Sequence, residues 1–112
     1  MPRIRTIKPG FWSDAGVVSL SHEARLLLVG LISMSDDEGR FVATPAAIKG
    51  YVYPFDGVTD AFVQRNRDEI VKRGIVFLYA ADGLELGVLP NFLRHQRVNR
   101  PTPSVIPAPP PR

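Results

Sequence analysis

An apolar stripe at helical spacing is the feature of this sequence that most constrains its fold. The stripe lies between residues 21 and 35 and consists of Ala24, Leu27, Leu28, Leu31 and Ile32. Side chains at this spacing share one face of a helix, and Leu26 and Val29 widen that face. Ser21 is suited to cap the start of the helix, and the turn residues Asp36-Asp37-Glu38-Gly39 end it. We therefore expect one strongly apolar helix at the centre of the fold.

Two further helices are predicted after this central helix. Thr44-Pro45 has the cap-then-proline pattern of a helix start, and this helix ends near Tyr51 because Pro54 prevents its continuation. The next helix is predicted from near Thr59 to Gly74, where a glycine suits the C-terminal cap. Residues 44–74 therefore consist of two helices joined by a turn.

Strand patterns lie on both sides of this helix pair. Residues 40–43 form a short predicted strand, and residues 75–79 and 84–88 are two more, joined by the hairpin signal Asp82-Gly83. The order is helix, strand, helix, helix, strand, turn and strand. This order predicts an α+β fold of the winged helix-turn-helix type, with three helices and a β-hairpin wing.

The two ends of the chain differ in composition from its middle. Residues 1–10 form a basic N-terminal arm, and residues 101–112 a proline-rich tail or linker with six prolines. Prolines remove backbone donors and favour an extended chain, so we expect the tail to stay outside the core. The predicted winged-helix domain therefore covers residues 11–100.

Positive charge is concentrated at these two ends. All eleven acidic residues lie in residues 10–93, and the net charge of the chain is +3. The basic residues outside that middle part are Arg3, Arg5, Lys8, Arg94, Arg97, Arg100 and Arg112. Local positive density attracts a phosphate backbone. The alternative is that basic ends only improve solubility.

Several classes of protein are disfavoured by the sequence. There is no cysteine, which excludes disulfides and thiolate zinc sites. The N-terminus lacks the apolar run of a signal peptide, and the apolar run Leu26–Ile32 is too short to span a bilayer. We therefore expect a cytoplasmic protein without membrane contact.

Four stretches of the sequence resemble a family of phage and prophage proteins. They are Arg3–Trp12, Leu20-Ser21 with Ala24–Leu27, Asp36–Arg40, and Pro90-Asn91-Phe92 with His95–Ser104. They are similar, in the same order, to the N-terminal winged-helix domains of phage replisome organisers and DnaD-like replication initiators. The resemblance implies DNA binding in replication initiation, in the cytoplasm of a bacterial host.

The segment after the predicted wing is the strongest candidate for DNA contact. Arginines recur there at every third position, as Arg94, Arg97 and Arg100. The side chains of His95, Gln96 and Asn99 add groups that hydrogen-bond to phosphates or base edges. The alternative is that Pro90-Asn91-Phe92 packs this segment against the core and leaves the arginines merely solvated.

The third predicted helix is the recognition element of a winged helix by position. Its outward face carries Gln64, Arg65 and Lys72, but also Asp60 and Asp68. The acidic residues repel phosphate, so a protein–protein surface is the alternative to DNA contact for this face.

The N-terminal arm is a further candidate for DNA contact. Its cations Arg3, Arg5 and Lys8 could follow the DNA backbone or enter a minor groove, anchored by Phe11-Trp12. A disordered tether is the alternative.

No enzymatic chemistry is expected. The acidic run Asp36-Asp37-Glu38 lacks the ligand spacing of a calcium loop, which favours a solvated tight turn and no metal. Glycine-rich phosphate loops and nucleophile elbows are absent from the sequence, so no cofactor is expected. We predict a protein that binds DNA, duplex more than single-stranded. A module that docks on a host or replisome protein, a transcriptional regulator and a homodimer remain as alternatives.

Overall fold

Four helices begin at a residue whose side chain caps them. The computed structural model describes residues 3–111; Met1, Pro2 and Arg112 lie outside the described residues. Its helices are α1 (Ala15–Val18), α2 (His22–Met34), α3 (Pro45–Val52), α4 (Asp60–Lys72) and α5 (Phe92–His95), with a 3-10 turn at Pro9–Ser13. Asp14, Ser21, Thr44 and Thr59 each accept a hydrogen bond from a backbone N–H in the first turn, as N-caps do. The predicted starts at Ser21, Thr44 and Thr59 are therefore confirmed.

Three short strands form one antiparallel sheet in the order β1-β3-β2. They are β1 (Arg40–Val42), β2 (Phe77–Ala81) and β3 (Leu84–Val88). The predicted hairpin between β2 and β3 is confirmed, with Ala81 paired to Leu84. Asp82 and Gly83 both have positive φ, 53° and 74°, as a type I′ hairpin turn requires.

Helix α2 lies at the centre of the core, as its apolar stripe predicts. Ala24, Leu27 and Leu31 are fully buried. They belong to one apolar cluster with Phe41 on β1, Ile48 on α3, and Val63 and Ile70 on α4. Leu26 does not widen the buried stripe as expected, because it is 61% exposed. At about 100° per residue, position 26 points away from the face that position 24 shares with positions 27, 28 and 31.

A buried arginine connects α4 to the sheet. The side chain of Arg67 is only 5% exposed. It donates to the carbonyl of Ala43 at 2.8 Å and to Glu85 on β3 at 2.7 Å, and it pairs with Asp68 at 3.0 Å. The charged group is therefore paired and hydrogen-bonded, which a buried charge requires.

The structure is a compact α+β fold with five helices and the three-stranded sheet. The short helices α1 and α5 were not predicted, since four residues carry too little periodicity to be read from sequence. Within residues 3–111 no helix is both long and apolar enough to cross a membrane.

The proline-rich tail packs against the domain, contrary to expectation. The carbonyl of Ile106 accepts from Arg40 at 2.8 Å, and the carbonyl of Pro107 accepts from the Tyr79 hydroxyl at 2.7 Å. The side chain of Ile106 packs on the apolar cluster of Tyr79, Leu86 and Val88 on the sheet. Proline removes a backbone donor but leaves its carbonyl, so donors of the domain can hold this part of the tail.

Candidate nucleic-acid interface

The two ends of the chain run antiparallel to each other along one edge of the domain. Arg3 donates to the carbonyls of Asn99 and Arg100, at 2.7 and 2.9 Å. Further along, the backbone N–H of Thr6 donates to the Gln96 side-chain oxygen at 2.9 Å, and the Gln96 side-chain nitrogen donates to the Thr6 carbonyl at 2.8 Å. Lys8 Nζ lies 3.3 Å from the carbonyl of Arg94. Residues 3–8 and 94–102 therefore form one surface, although about ninety positions separate them in the sequence.

Asp37 holds both ends in place, in a cluster that we call the terminal clamp. Its carboxylate pairs with Arg3 at 3.2 Å and with Arg5 at 3.0 Å. The same carboxylate accepts from the backbone N–H of Thr102 at 2.9 Å. Arg5 also donates to the carbonyl of Ser35 at 2.8 Å. The terminal clamp, made of Asp37, Arg3, Arg5 and Thr102, thus joins the N-terminal segment and the tail to the turn after α2.

The acidic turn is consequently not the solvated turn that the sequence suggested. The side chain of Asp37 is only 3% exposed. The neighbouring carboxylates of Asp36 and Glu38 accept hydrogen bonds from the hydroxyl and the backbone N–H of Ser104. Burial of a carboxylate is unfavourable unless partners compensate it, and the two ends of the chain supply these partners.

The pKa of Asp37 is lowered from its ordinary value of 3.8. The hydrogen bond from the Thr102 backbone is the largest cause. Burial raises the pKa and opposes this effect. The hydrogen bond from Arg5 and the positive charges of Arg3 and Arg5 lower the pKa further. All the lowering contributions favour the ionised carboxylate, so this group stabilises the folded state as long as it is charged.

This lowered pKa predicts loss of stability in acid. A carboxylate whose pKa is lower in the folded than in the unfolded chain contributes stability above its unfolded pKa and loses it as the pH falls further. Between pH 5 and pH 2, Asp37→Asn should therefore show a flatter decline in the free energy of unfolding than the wild type. Urea unfolding at several pH values measures both slopes, and parallel slopes would contradict the assignment.

The cations next to the terminal clamp remain available to a ligand. Lys8, Arg94, Arg97 and Arg100 are all exposed, and we call them the basic strip. Among residues 3–111 none of these four has an acidic partner within an ion-pair distance. His95 is exposed beside them. The basic strip therefore collects exposed positive charge from both ends of the chain, which adjoin at Lys8 and Arg94.

Four other residues at the ends were predicted to contact DNA. The side chains of three of them are engaged in contacts within the protein, and the fourth, Asn99, is exposed. Gln96 is 7% exposed and both atoms of its amide bond Thr6, so it is not free for a base edge. Arg5 is equally enclosed, with its guanidinium 5.0 Å from the centre of the Phe92 ring. Arg3 is partly exposed but paired with Asp37, and Asn99 is exposed. Arg3 and Arg5 thus fix the end of the chain and do not form a free arm.

The outward face of α4 carries the three residues that the sequence placed there. Gln64, Arg65 and Lys72 are exposed, and the guanidinium of Arg65 lies 5.4 Å from the centre of the Phe62 ring.

The two acidic residues of this face are each paired with a cation. Asp60 lies 3.5 Å from Lys49, and Asp68 pairs with Arg67. These pairs reduce the repulsion that the acids would exert on a phosphate, but the face remains mixed in charge.

The β2–β3 hairpin offers no positive charge. Residues 75–93 contain no lysine or arginine, and the charged residues there are Asp82 and Glu85. Phosphate contact by the hairpin itself is therefore disfavoured. Positive charge lies instead on α4 and on the basic strip.

Sequence reasoning did not single out two charged residues that matter for this surface. Asp37 is recognisable only as one of three consecutive acids, and its partners lie 32 and 65 positions away. Arg73, exposed at the end of α4, is a further cation. No short-range pattern indicates either role.

We also looked for a metal site and for similar proteins that would indicate what this surface binds. Within the described part of the chain, no group of three or more His, Asp or Glu side chains is arranged to hold a metal ion. No protein-family model, curated protein or solved structure matches the chain. The function is therefore inferred from the residues and geometry described above.

Proposed function

We propose that this protein is a winged-helix protein. The element order α2, β1, α3, α4, β2, β3 and the sheet order β1-β3-β2 support this class, because a winged helix combines a helix-turn-helix with a hairpin on a small sheet. In this assignment α4 is the recognition helix and the β2–β3 hairpin is the wing. The class also agrees with the resemblance of the sequence to phage replisome organisers.

We propose further that it binds duplex DNA and has no enzymatic activity. The observation that carries this proposal is the basic strip, in which Lys8 of the N-terminal segment meets Arg94, with Arg97 and Arg100 exposed further along the same segment. Arginine presents a planar fork of donors whose charge does not titrate, which suits phosphate. The three arginines of the strip follow the wing in the chain, and Arg65 and Lys72 on α4 supply a second group of contacts.

The setting that we propose is replication initiation in a phage or prophage, in the bacterial cytoplasm. It rests on the resemblance of the four stretches of sequence to phage replisome organisers and DnaD-like initiators. A second candidate is a module that docks on a host or replisome protein. The observation that favours it is the mixed charge of the α4 face, where Asp60 and Asp68 accompany Arg65 and Lys72.

Salt-dependent binding tests the DNA proposal. A protein that contacts Z phosphates of a duplex loses affinity with a slope of about −0.9Z in log–log form. Four contacts by the basic strip correspond to a loss of about 100-fold between 50 and 200 mM salt. Fluorescence anisotropy with a random-sequence duplex, and with the matching single strand, measures this slope.

Three variants assign the contacts. The triple change of Arg94, Arg97 and Arg100 to Ala should reduce the slope by about 2.7, and circular dichroism checks that it folds. Lys49→Ala is the control, because Lys49 is partly exposed but already paired with Asp60. The DNA binding of this variant should be unchanged. Arg65→Ala with Lys72→Ala measures the share of α4. No binding at 50 mM salt contradicts DNA binding, and an unaltered slope in the triple variant contradicts the basic strip.

A further inference from the structure

A cavity of about 570 Å³ lies between the N-terminal segment and the helical core. The N-terminal segment, α1, α2, α5 and the turn between α4 and β2 all contribute to its wall. Its apolar lining consists of Ile7, Phe11, Val17, Leu28, Ile32, Ile75, Leu89 and Phe92. A cavity of this size falls within the range of about 300–1,000 Å³ that small-molecule sites occupy.

The polar part of the wall carries more positive than negative charge. Lys8 and Arg73 bring two positive charges, and His95 adds a titratable ring. Within residues 3–111, Arg73 has no ion-pair partner, and Lys8 bonds only the carbonyl of Arg94.

One carboxylate, that of Asp14, also lines the cavity. It is used as the N-cap of α1, where it accepts from the Val17 N–H at 3.2 Å. The cavity thus combines an apolar interior with a surplus of positive charge.

We propose that this cavity binds a small amphiphile with an apolar body and a carboxylate. The apolar body would fill the space lined by Phe11, Ile32 and Ile75, and the carboxylate would pair with Arg73 and Lys8. Guanidinium and ammonium groups form charge-assisted hydrogen bonds with a carboxylate. A compact ligand fits better than a long peptide, because several elements surround the cavity on different sides.

Binding can be followed without a label. Trp12 is the single tryptophan of the chain, and its ring packs edge-on against Phe11, with 4.8 Å between the ring centres. Phe11 lines the cavity, so a ligand there should change the tryptophan fluorescence. We would titrate decanoate and decanol, which share the same ten-carbon chain and differ in the charge of the head group.

Decanoate should bind about tenfold more tightly than decanol at pH 7, because one charge-assisted hydrogen bond contributes roughly this factor. Arg73→Gln and Lys8→Gln should each reduce the affinity for decanoate and leave that for decanol unchanged. Lys72→Gln is the matched control, since it removes a neighbouring exposed cation that does not line the cavity. Equal affinities for the two ligands, or equal effects of Lys72→Gln and Arg73→Gln, would overturn the carboxylate assignment.

Filling the cavity tests its location. A side chain at Gly16 would start 3.7 Å from Ile75 Cδ1 and 3.2 Å from an Asp14 carboxylate oxygen, so Gly16→Leu extends toward the apolar wall. Ile75→Phe enlarges the side chain of a second residue in the wall and serves if Gly16→Leu does not fold. Whichever variant keeps the wild-type circular dichroism should lose the binding of both ligands. Unchanged binding in a folded variant would overturn the proposal. These titrations contain no DNA, so their outcome is independent of the proposed function.

Discussion

Replacement of Asp37 by alanine is expected to lower the free energy of unfolding by about 3–5 kcal/mol, the range for removing one partner of a buried ion pair. The change leaves the guanidinium of Arg5 enclosed, at 5% exposure, without its countercharge. It also leaves the Thr102 N–H without the acceptor that joins the tail to the domain. A domain of this size has a total stability of about 5–15 kcal/mol, so the loss is a large part of it.

Urea denaturation followed by circular dichroism measures this effect. Asp60→Ala is the matched control, because Asp60 forms an exposed pair with Lys49, with 64% of its side chain accessible. Exposed pairs contribute about 0–1 kcal/mol. Limited proteolysis adds a local readout, since loss of the terminal clamp should make residues 3–8 and 101–107 cleavable before the core. A loss no larger than that of Asp60→Ala would contradict the role given to Asp37.

Gly39→Ala is expected to destabilise the fold by about 2–5 kcal/mol, by two mechanisms at one position. Gly39 has a φ of +78°, where a residue with a Cβ is disfavoured by about 1–2 kcal/mol. The new Cβ would also lie 2.6 Å from Phe92 Cβ and 3.1 Å from the carbonyl oxygen of Leu89. Overpacking of this kind adds about 1–3 kcal/mol.

Gly83→Ala separates the two mechanisms. Gly83 has nearly the same φ, +74°, but a Cβ there would meet nothing within 4 Å. Its substitution should show only the backbone strain, about 1–2 kcal/mol. Thermal unfolding of the two variants under the same conditions gives the difference, which is the contribution of the contact with Phe92. Equal losses would show that α5 moves away without penalty.

Local sequence signals predicted the helices and strands that have strong local causes. Ser21, Thr44 and Thr59 cap their own helices, so each start depends on residues within one turn. The hairpin turn at Asp82-Gly83 likewise depends on two adjacent residues with positive φ.

The candidate site was predicted in part. Exposure of Gln64, Arg65 and Lys72 on α4 follows from the helical period, and the structure agrees. The exposure of Arg94, Arg97 and Arg100 agrees as well. The enclosure of Gln96 and Arg5 was not predicted, because it depends on contacts with Thr6 and Asp37 that lie far away in the sequence.

The sequence by itself determined the central helix, the order of the three longer helices and the three strands, and the basic character of both ends. Each of these follows from spacing, caps or composition over a few residues. The tertiary structure alone decided what the ends do. It buries Asp37 beneath Arg3, Arg5 and Thr102, whereas Lys8, Arg94, Arg97 and Arg100 in the same two segments stay exposed. The physical reason is that a buried carboxylate must be compensated, and its partners lie at both ends of the chain.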